Sequence, residues 1–507
     1  MFRNLILLGV IIFSLLSCQD DLFETTPSTG ELFFSRDTIY LDTIFSNISS
    51  STRTFKIYNK SSNNITIPSI RLGRGQNSFY RLNVNGTSGK AFENVTLFGK
   101  DSIYVFVEAT IDFSQVTNPI YTDSIVFDQG GNQQDVKLIT LVQDAHFLYP
   151  KRNAQGIKET IVIGENEDGE EITVDGFYLE GDQVWTNDKP YVIYGYAGVQ
   201  QGNKLTVEKG VRIHFHANSG LLVEKNASLK IKGTLDEKVM IQGDRLEPFY
   251  EDIAGQWGTI WLRAGSKDHE IDHTLIKNST IGILMDSIGG NFEPALRIKN
   301  TEIYNTSNFG LMGRSTHIRG SNLVIANNGQ ASLACTAGGT YDFIHSTFAN
   351  YWSGGIREYP AVLMSNFQIV SEGGGSTGVL SNDLLAANFT NCIIEGNQNI
   401  EFLLQKNDDA LFNYNFKNNL LRFNDPNGIF DNDPLYDFED TSHYQNNMFN
   451  GEPDFKDINE NEYIIGELSD AVGNGNVFEA QKVPFDILGV SRVEKPDMGA
   501  YQHIIFE

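Results

Sequence analysis

The sequence predicts an all-β protein: an N-terminal β-sandwich followed by a parallel β-solenoid with a C-terminal cap. Three observations predict it. Residues 38–142 alternate between apolar and polar positions in short segments separated by turn signals. Downstream, a strand-plus-asparagine unit recurs at a spacing in the twenties. The 34 Phe, 20 Tyr and 47 Gly suit strands and tight turns, and no long 3.6-residue period follows the N-terminus.

At 507 residues the chain exceeds one ordinary core, and 40% hydrophobic residues suffice to pack two or three. The formal charge is −26, from 38 basic and 64 acidic residues. Such a field repels phosphate backbones, which excludes nucleic acid as a partner, and it disfavours a polyuronate unless calcium or a basic cleft compensates.

Taken in order, Arg3 and the apolar run Leu5–Leu16 have the layout of a secretory signal, too short to span a bilayer. Leu15-Leu16-Ser17-Cys18 resembles the lipobox of bacterial lipoproteins, which implies a signal peptide over 1–17 and a lipidated Cys18. Gln19-Asp20-Asp21 resembles the surface-export signal of Bacteroidota lipoproteins. The implied anchor is acyl chains (palmitate among them) on the outer membrane, with the protein surface-exposed. Residues 18–30, with Thr25-Thr26-Pro27-Ser28, read as a tether.

Residues 31–147 carry short strands at 38–45, 52–59, 65–72, 102–111, 124–127 and 136–142, broken by Asn63-Asn64, Gly73-Arg74-Gly75 and Gly130-Gly131-Asn132. That spacing predicts an immunoglobulin-like β-sandwich without a Cys…Trp…Cys set. "RTFKIYNKSSNNITIPSIRLG", "DSIYVFVEATID" and "QDVKLITLVQDAHF" resemble the N-terminal module of Bacteroidota surface lipoproteins.

Residues 148–200 read as a linker and solenoid cap, and 201–425 as a right-handed parallel β-helix. "KLTVEKGVRIHF", "SGLLVEKNASLKIKG" and "KVMIQGD" open it. Ile271–Asn278, Ile298–Asn305 and Phe343–Asn350 then repeat one pattern, apolar positions around a small polar pair with a closing Asn. The second apolar positions are Ile276, Ile303, Ile325, Phe348, Ile394 and Leu421, and the gap of 46 after Phe348 reads as two coils of 23. Cys335 and Cys392 then fall about three coils apart, roughly 14 Å, too far for a disulfide, so both read as buried packing thiols. Residues 426–507 read as final coils and cap. "EPDFKDINENEYIIGELSDAVGNG" and Asp497-Met498-Gly499-Ala500-Tyr501 resemble the close of bacterial parallel β-helix proteins, which implies a cap over the open end.

The fold resembles the pectate-lyase-like superfold, so catalytic signatures matter. Arg297-Ile298-Lys299 matches the basic tripeptide of polygalacturonases, but its Asn-Thr-Asp, Asp-Asp and Gly-His-Gly companions are missing as a set. Ile298 sits on an inward position, so Arg297 and Lys299 flank it and point out. The acidic clusters Asp408-Asp409, Asp431-Asn432-Asp433 and Glu165–Glu171 are solvated loops in this reading. Asp431 and Asp433 could hold calcium weakly, without EF-hand spacing, and no other cofactor is expected. Arg314, Arg357 and Glu358 could line a groove. His214 and His216 alternate on one strand without a completing zinc ligand. Trp257 and Trp261 in "GQWGTIWL" share a face by even spacing; outward they would stack sugar rings, inward they are core. The expected function is a non-catalytic surface lipoprotein binding glycan or protein along the solenoid. The alternative is a polysaccharide lyase or glycoside hydrolase.

Overall fold

The computed structural model describes residues 24–166, 168–287, 293–373 and 376–506, nearly all of them strand or turn. Cys18 and the segment before it lie outside the described residues. The chain divides into two compact units at Asp144.

In the first unit two sheets share one core. One pairs Thr38–Phe45, Ile65–Leu72, Ile120–Phe127 and Gln134–Gln143. The other has Ser102–Ala109 at its centre, between Arg53–Tyr58 and Tyr80–Val84. Period-two alternation decides which side chains enter: Ile103, Val105, Val107 and Ala109 are buried while Tyr104, Phe106 and Glu108 face out. Part of the expected tether is structured, since Thr26 and Pro27 pair in parallel with Ile65 and Thr66.

The second unit is built from parallel ladders, each strand pairing with the third strand after it. The first ladder runs through Tyr196–Val199, Gly220–Val223, Ile260–Leu262 and Ile283–Met285; the second through Lys204–Val207, Ser228–Lys232 and His269–Asp272; the third through Arg212–Phe215, Val239–Gly243 and Thr274–Lys277. On the third ladder Ile213, Ile241, Ile276, Ile303, Ile325, Phe348, Ile394 and Leu421 stack in strict register. From Ile276 to Leu421 all are fully buried, each removal from water stabilising by about 1.5–3 kcal/mol.

Asparagine marks the corners for a backbone reason. His273, Asn300, Asn322, His345, Asn391 and Asn418, each between its second- and third-ladder strands, have φ between 43° and 56°. Asn and His tolerate this left-handed bend better than branched residues do. Side-chain bonds then link coils, as in Asn322 Nδ2 to Asn300 Oδ1 at 2.8 Å and Asn300 Nδ2 to Asp272 Oδ1 at 2.9 Å.

Four expectations about layout are corrected. The ladders begin at His146–Leu148, paired with Tyr191–Ile193, and not at residue 201. The antiparallel hairpin of Thr160–Glu165 with Glu171–Leu179 lengthens that coil and hides its period. Phe348 pairs directly with Ile394, so 46 residues make one coil; an added hairpin, Phe367–Gly373 with Ser376–Ser381, takes up the length. Cys335 and Cys392 therefore lie in successive coils, Cys335 within a first-ladder strand and Cys392 just before a third-ladder strand, each as a buried free thiol. Burial pushes the Cys392 thiol up to about 12.

The C-terminal segment is the fourth. Phe430, Tyr436 and Phe438 pack with Phe402, Phe423 and Phe449 in the last coils. Beyond Asp454 the chain runs back along the outer face of the third ladder. Tyr463, Ile487, Ala500 and Tyr501 cover Tyr304, Val324, Ala326 and Ala349, while Ile465, Ala471 and Met498 cover Ile393 and Leu420. Outward positions of this ladder are apolar because they are covered.

Candidate functional site

The first ladder carries the sequence-predicted tryptophan. Its outward positions Leu222, Trp261, Leu284, Met312, Ala334 and Leu363 stack in register. One residue past the first three strands and within the fourth, the same register aligns Glu224, Arg263, Asp286 and Arg314, a column of alternating charge. Glu224 Oε1 accepts from Arg263 Nη1 at 2.8 Å and from the Tyr178 hydroxyl at 3.0 Å. Asp286 Oδ2 accepts from Trp261 Nε1 at 2.7 Å, and its Oδ1 from Arg314 Nε at 2.6 Å. The Arg263 guanidinium lies 5.5 Å from the Trp261 ring centre. Trp261 is partly exposed and flanked by two carboxylate–guanidinium pairs, with shallow clefts beside each, of about 480 Å³ at Glu224 and Arg263 and about 410 Å³ at Asp286 and Arg314. Burial first, then the Glu224 charge, pushes the Tyr178 phenol up to about 12, so it remains a donor.

A larger cavity of about 880 Å³ opens at the corner between the third and first ladders. Tyr149, Tyr194, His216, Lys158 and Gln256 are among the residues that line it. His216 Nδ1 bonds Asp244 Oδ2 at 2.7 Å, and its ring stacks on Tyr194 with centres 4.4 Å apart. The Asp244 hydrogen bond raises the His216 pKa and fixes the ring, leaving Nε2 for a ligand. Lys158 Nζ is paired with Asp175 at 2.6 Å. The cavity offers an aromatic wall, a positioned imidazole and polar groups of both signs.

Trp257 is not a stacking platform. It precedes the strand at a corner where it bridges Ser279, so even spacing does not hold to Trp261; it is 1% exposed, stacked on Phe215 at 4.7 Å, with Nε1 bonded to Lys277 O. His214 and His216 separate too: His214 is buried against Gly243 O, and desolvation lowers its pKa to about 4. Arg297 pairs with Glu293 and Lys299 with Asp272, flanking a buried Ile298. Arg357 is sequestered, its guanidinium bidentate to Glu401 at 2.7 and 2.6 Å, whereas Glu358 is exposed and Arg314 lies with Asp286. Asp433 caps a short helical turn through Leu435 N–H, and Asp431 lies against Gly428. Asp408 pairs with Lys406, and Glu167 of the Glu165–Glu171 stretch lies outside the described residues. Among the described residues no three His, Cys, Asp or Glu gather to hold a metal.

Sequence reasoning missed Glu224, Asp286 and Asp244. A signal existed for two: "LLVE", "IWLR", "ILMD" and "LMGR" each place a charge after three positions of one ladder strand. Unequal loops between those strands mask the alignment. No protein-family profile matches the chain, and no curated protein is significantly similar. Among solved structures, a family 123 glycoside hydrolase from Clostridium perfringens is similar over 22% of this chain and 26% of its own, at 9% identity and a TM-score of 0.17. This chain matches about a quarter of that enzyme's length. The catalytic unit of a thermostable GH87 α-1,3-glucanase from Streptomyces thermodiastaticus strain HF3-3 is similar over 72% of this chain and 78% of its own, at 9% identity and a TM-score of 0.18. At these TM-scores neither likeness carries an argument about activity.

Proposed function

We propose that this chain is a surface-exposed outer-membrane lipoprotein, acylated at Cys18, that binds glycan non-catalytically along its solenoid. In this reading the first unit is an immunoglobulin-like sandwich and the second a right-handed parallel β-helix. Trp261 carries the proposal. Its indole nitrogen is tied to Asp286, so the ring has one orientation, and a partly exposed ring held this way offers an apolar face to a pyranose. The Glu224–Arg263 and Asp286–Arg314 pairs on either side supply donors and acceptors for hydroxyl groups along the solenoid axis.

Hydrolysis on this face would need an acid and a base, and its two carboxylates, Glu224 and Asp286, are each engaged with a guanidinium, Arg263 and Arg314. The second reading, a polysaccharide lyase or hydrolase, is favoured by one observation: His216 lines the large cavity and is hydrogen-bonded to Asp244, which has the form of a general base and its orienting carboxylate. A glycan array probed with and without calcium, followed by a lyase absorbance assay and a reducing-sugar assay on each hit, tests both. Binding without product supports the first reading. Product formation that His216→Ala abolishes establishes the second.

A further inference from the structure

The outer face of the five-stranded sheet in the first unit departs from what an exposed antiparallel sheet presents. Such a face is ordinarily polar along its whole length. Here the central strand Ser102–Ala109 places Tyr104 and Phe106 side by side on it, 48% and 38% exposed. Their ring centres are 6.1 Å apart and the planes differ by 28°. Across the sheet Phe106 lies between Thr54 and Asn83, Tyr104 beside Lys56, and Glu108 beside Arg81.

Phe106 does not sit on a flat surface, whereas Tyr104 lies beside the groove with Lys56 Nζ 4.6 Å from its ring centre. The hairpin of Tyr80–Val84 with Thr87–Gly89 forms one wall of a groove of about 760 Å³, with Phe106 and Glu108 among the other residues lining it. Asn83 Nδ2 donates to Ser88 Oγ at 3.1 Å and its Oδ1 accepts from Gly86 N–H at 3.0 Å, which fixes the amide and leaves its second proton for another partner. Arg81 and Glu108 pair loosely at 3.5 Å at one end, and both remain more than 40% exposed.

We infer that this groove is a second glycan site, taking a neutral oligosaccharide that stacks one pyranose ring on Phe106 and runs on beside the groove over Tyr104. The hydroxyls would meet Asn83 and the Arg81–Glu108 pair. A protein partner fits less well for two reasons. Two aromatic rings supply at most about 300–500 Å² of surface, below the roughly 800 Å² per partner of a stable protein interface. Charged side chains also border the rings closely, whereas the centres of protein interfaces are depleted of charge. An anionic chain is disfavoured by Glu108 and by the net charge of −26. This inference does not depend on Trp261.

Affinity electrophoresis of the full chain against a panel of neutral polysaccharides separates the two sites. At least one polysaccharide should retard the wild type and Trp261→Ala alike. The Tyr104→Ala/Phe106→Ala double variant, with an unchanged melting temperature, should lose that retardation by roughly tenfold or more in Kd. Asn83→Ala, on the groove wall, should weaken the same ligand without touching either ring. The inference is overturned if no neutral polysaccharide retards the Trp261→Ala protein. It is equally overturned if the folded double variant binds every hit as tightly as the wild type.

Discussion

Phe348 and Ile394 are adjacent rungs of one buried column although 46 residues separate them in sequence. Their pairing shows that the parallel ladders keep their inward positions stacked while the chain between successive rungs varies in length. An inserted hairpin leaves the column intact.

Ile303, paired with Ile276 below and Ile325 above, is fully buried in that column. Ile303→Ala should cost about 2–5 kcal/mol, from lost burial and an unfilled cavity. Ile303→Asp should unfold the second unit. Denaturant titration measures both, and an Ile303→Ala variant with wild-type stability refutes the register.

Much of this column is legible in the sequence, because buried positions must repeat once per coil. Ile276, Ile303, Ile325, Phe348, Ile394 and Leu421 are readable as equivalent. The number of coils across the 46-residue gap is not, since multiples of the period look alike when a loop is inserted. Trp257 shows a second limit: alternation applies only inside a strand, and the corner before Ile260 breaks it. The C-terminal segment shows a third. Tyr463 and Tyr501 read as parts of a closing cap, yet their partners lie on earlier coils, and no local pattern encodes that return. Asp244 pairs with His216 across 28 residues of intervening loop and strand, which sequence spacing alone does not reveal.

Glu395 gives the stability a pH dependence of definite sign. It is 2% exposed beneath the C-terminal segment, Oε1 has no hydrogen-bond partner, and burial raises its pKa to about 7. A raised folded-state pKa means that the favourable contribution is complete below the unfolded value and is lost as pH rises through the folded one. Stability should therefore fall between about pH 4.5 and pH 7, by about 3 kcal/mol from this group. Glu395→Gln should remove that slope while retaining the fold, as chemical denaturation across the range would read directly.

Arg297 and Lys299 should be dispensable. Their ion pairs with Glu293 and Asp272 are exposed, and such pairs contribute about 0–1 kcal/mol. The double alanine variant should remain folded and keep any glycan binding. Loss of polygalacturonate cleavage in a folded double variant would restore the polygalacturonase reading of the tripeptide.

Cys18→Ala should release the protein from the envelope or mislocalise it, because the proposed acyl anchor requires the thiol. Metabolic labelling with a palmitate analogue, followed by membrane fractionation, checks this. Labelling and membrane retention of the variant would contradict the anchor.

Trp261, fixed by Asp286, is the proposed binding platform of the second unit. The most direct measurement is the titration of a glycan-array hit into wild type and Trp261→Ala, followed by tryptophan emission and calorimetry. The account predicts an emission change in the wild type that the variant lacks, a Kd at least about tenfold weaker at this site, and an unchanged melting temperature. A solenoid-bound glycan whose Kd is the same in both proteins would contradict it.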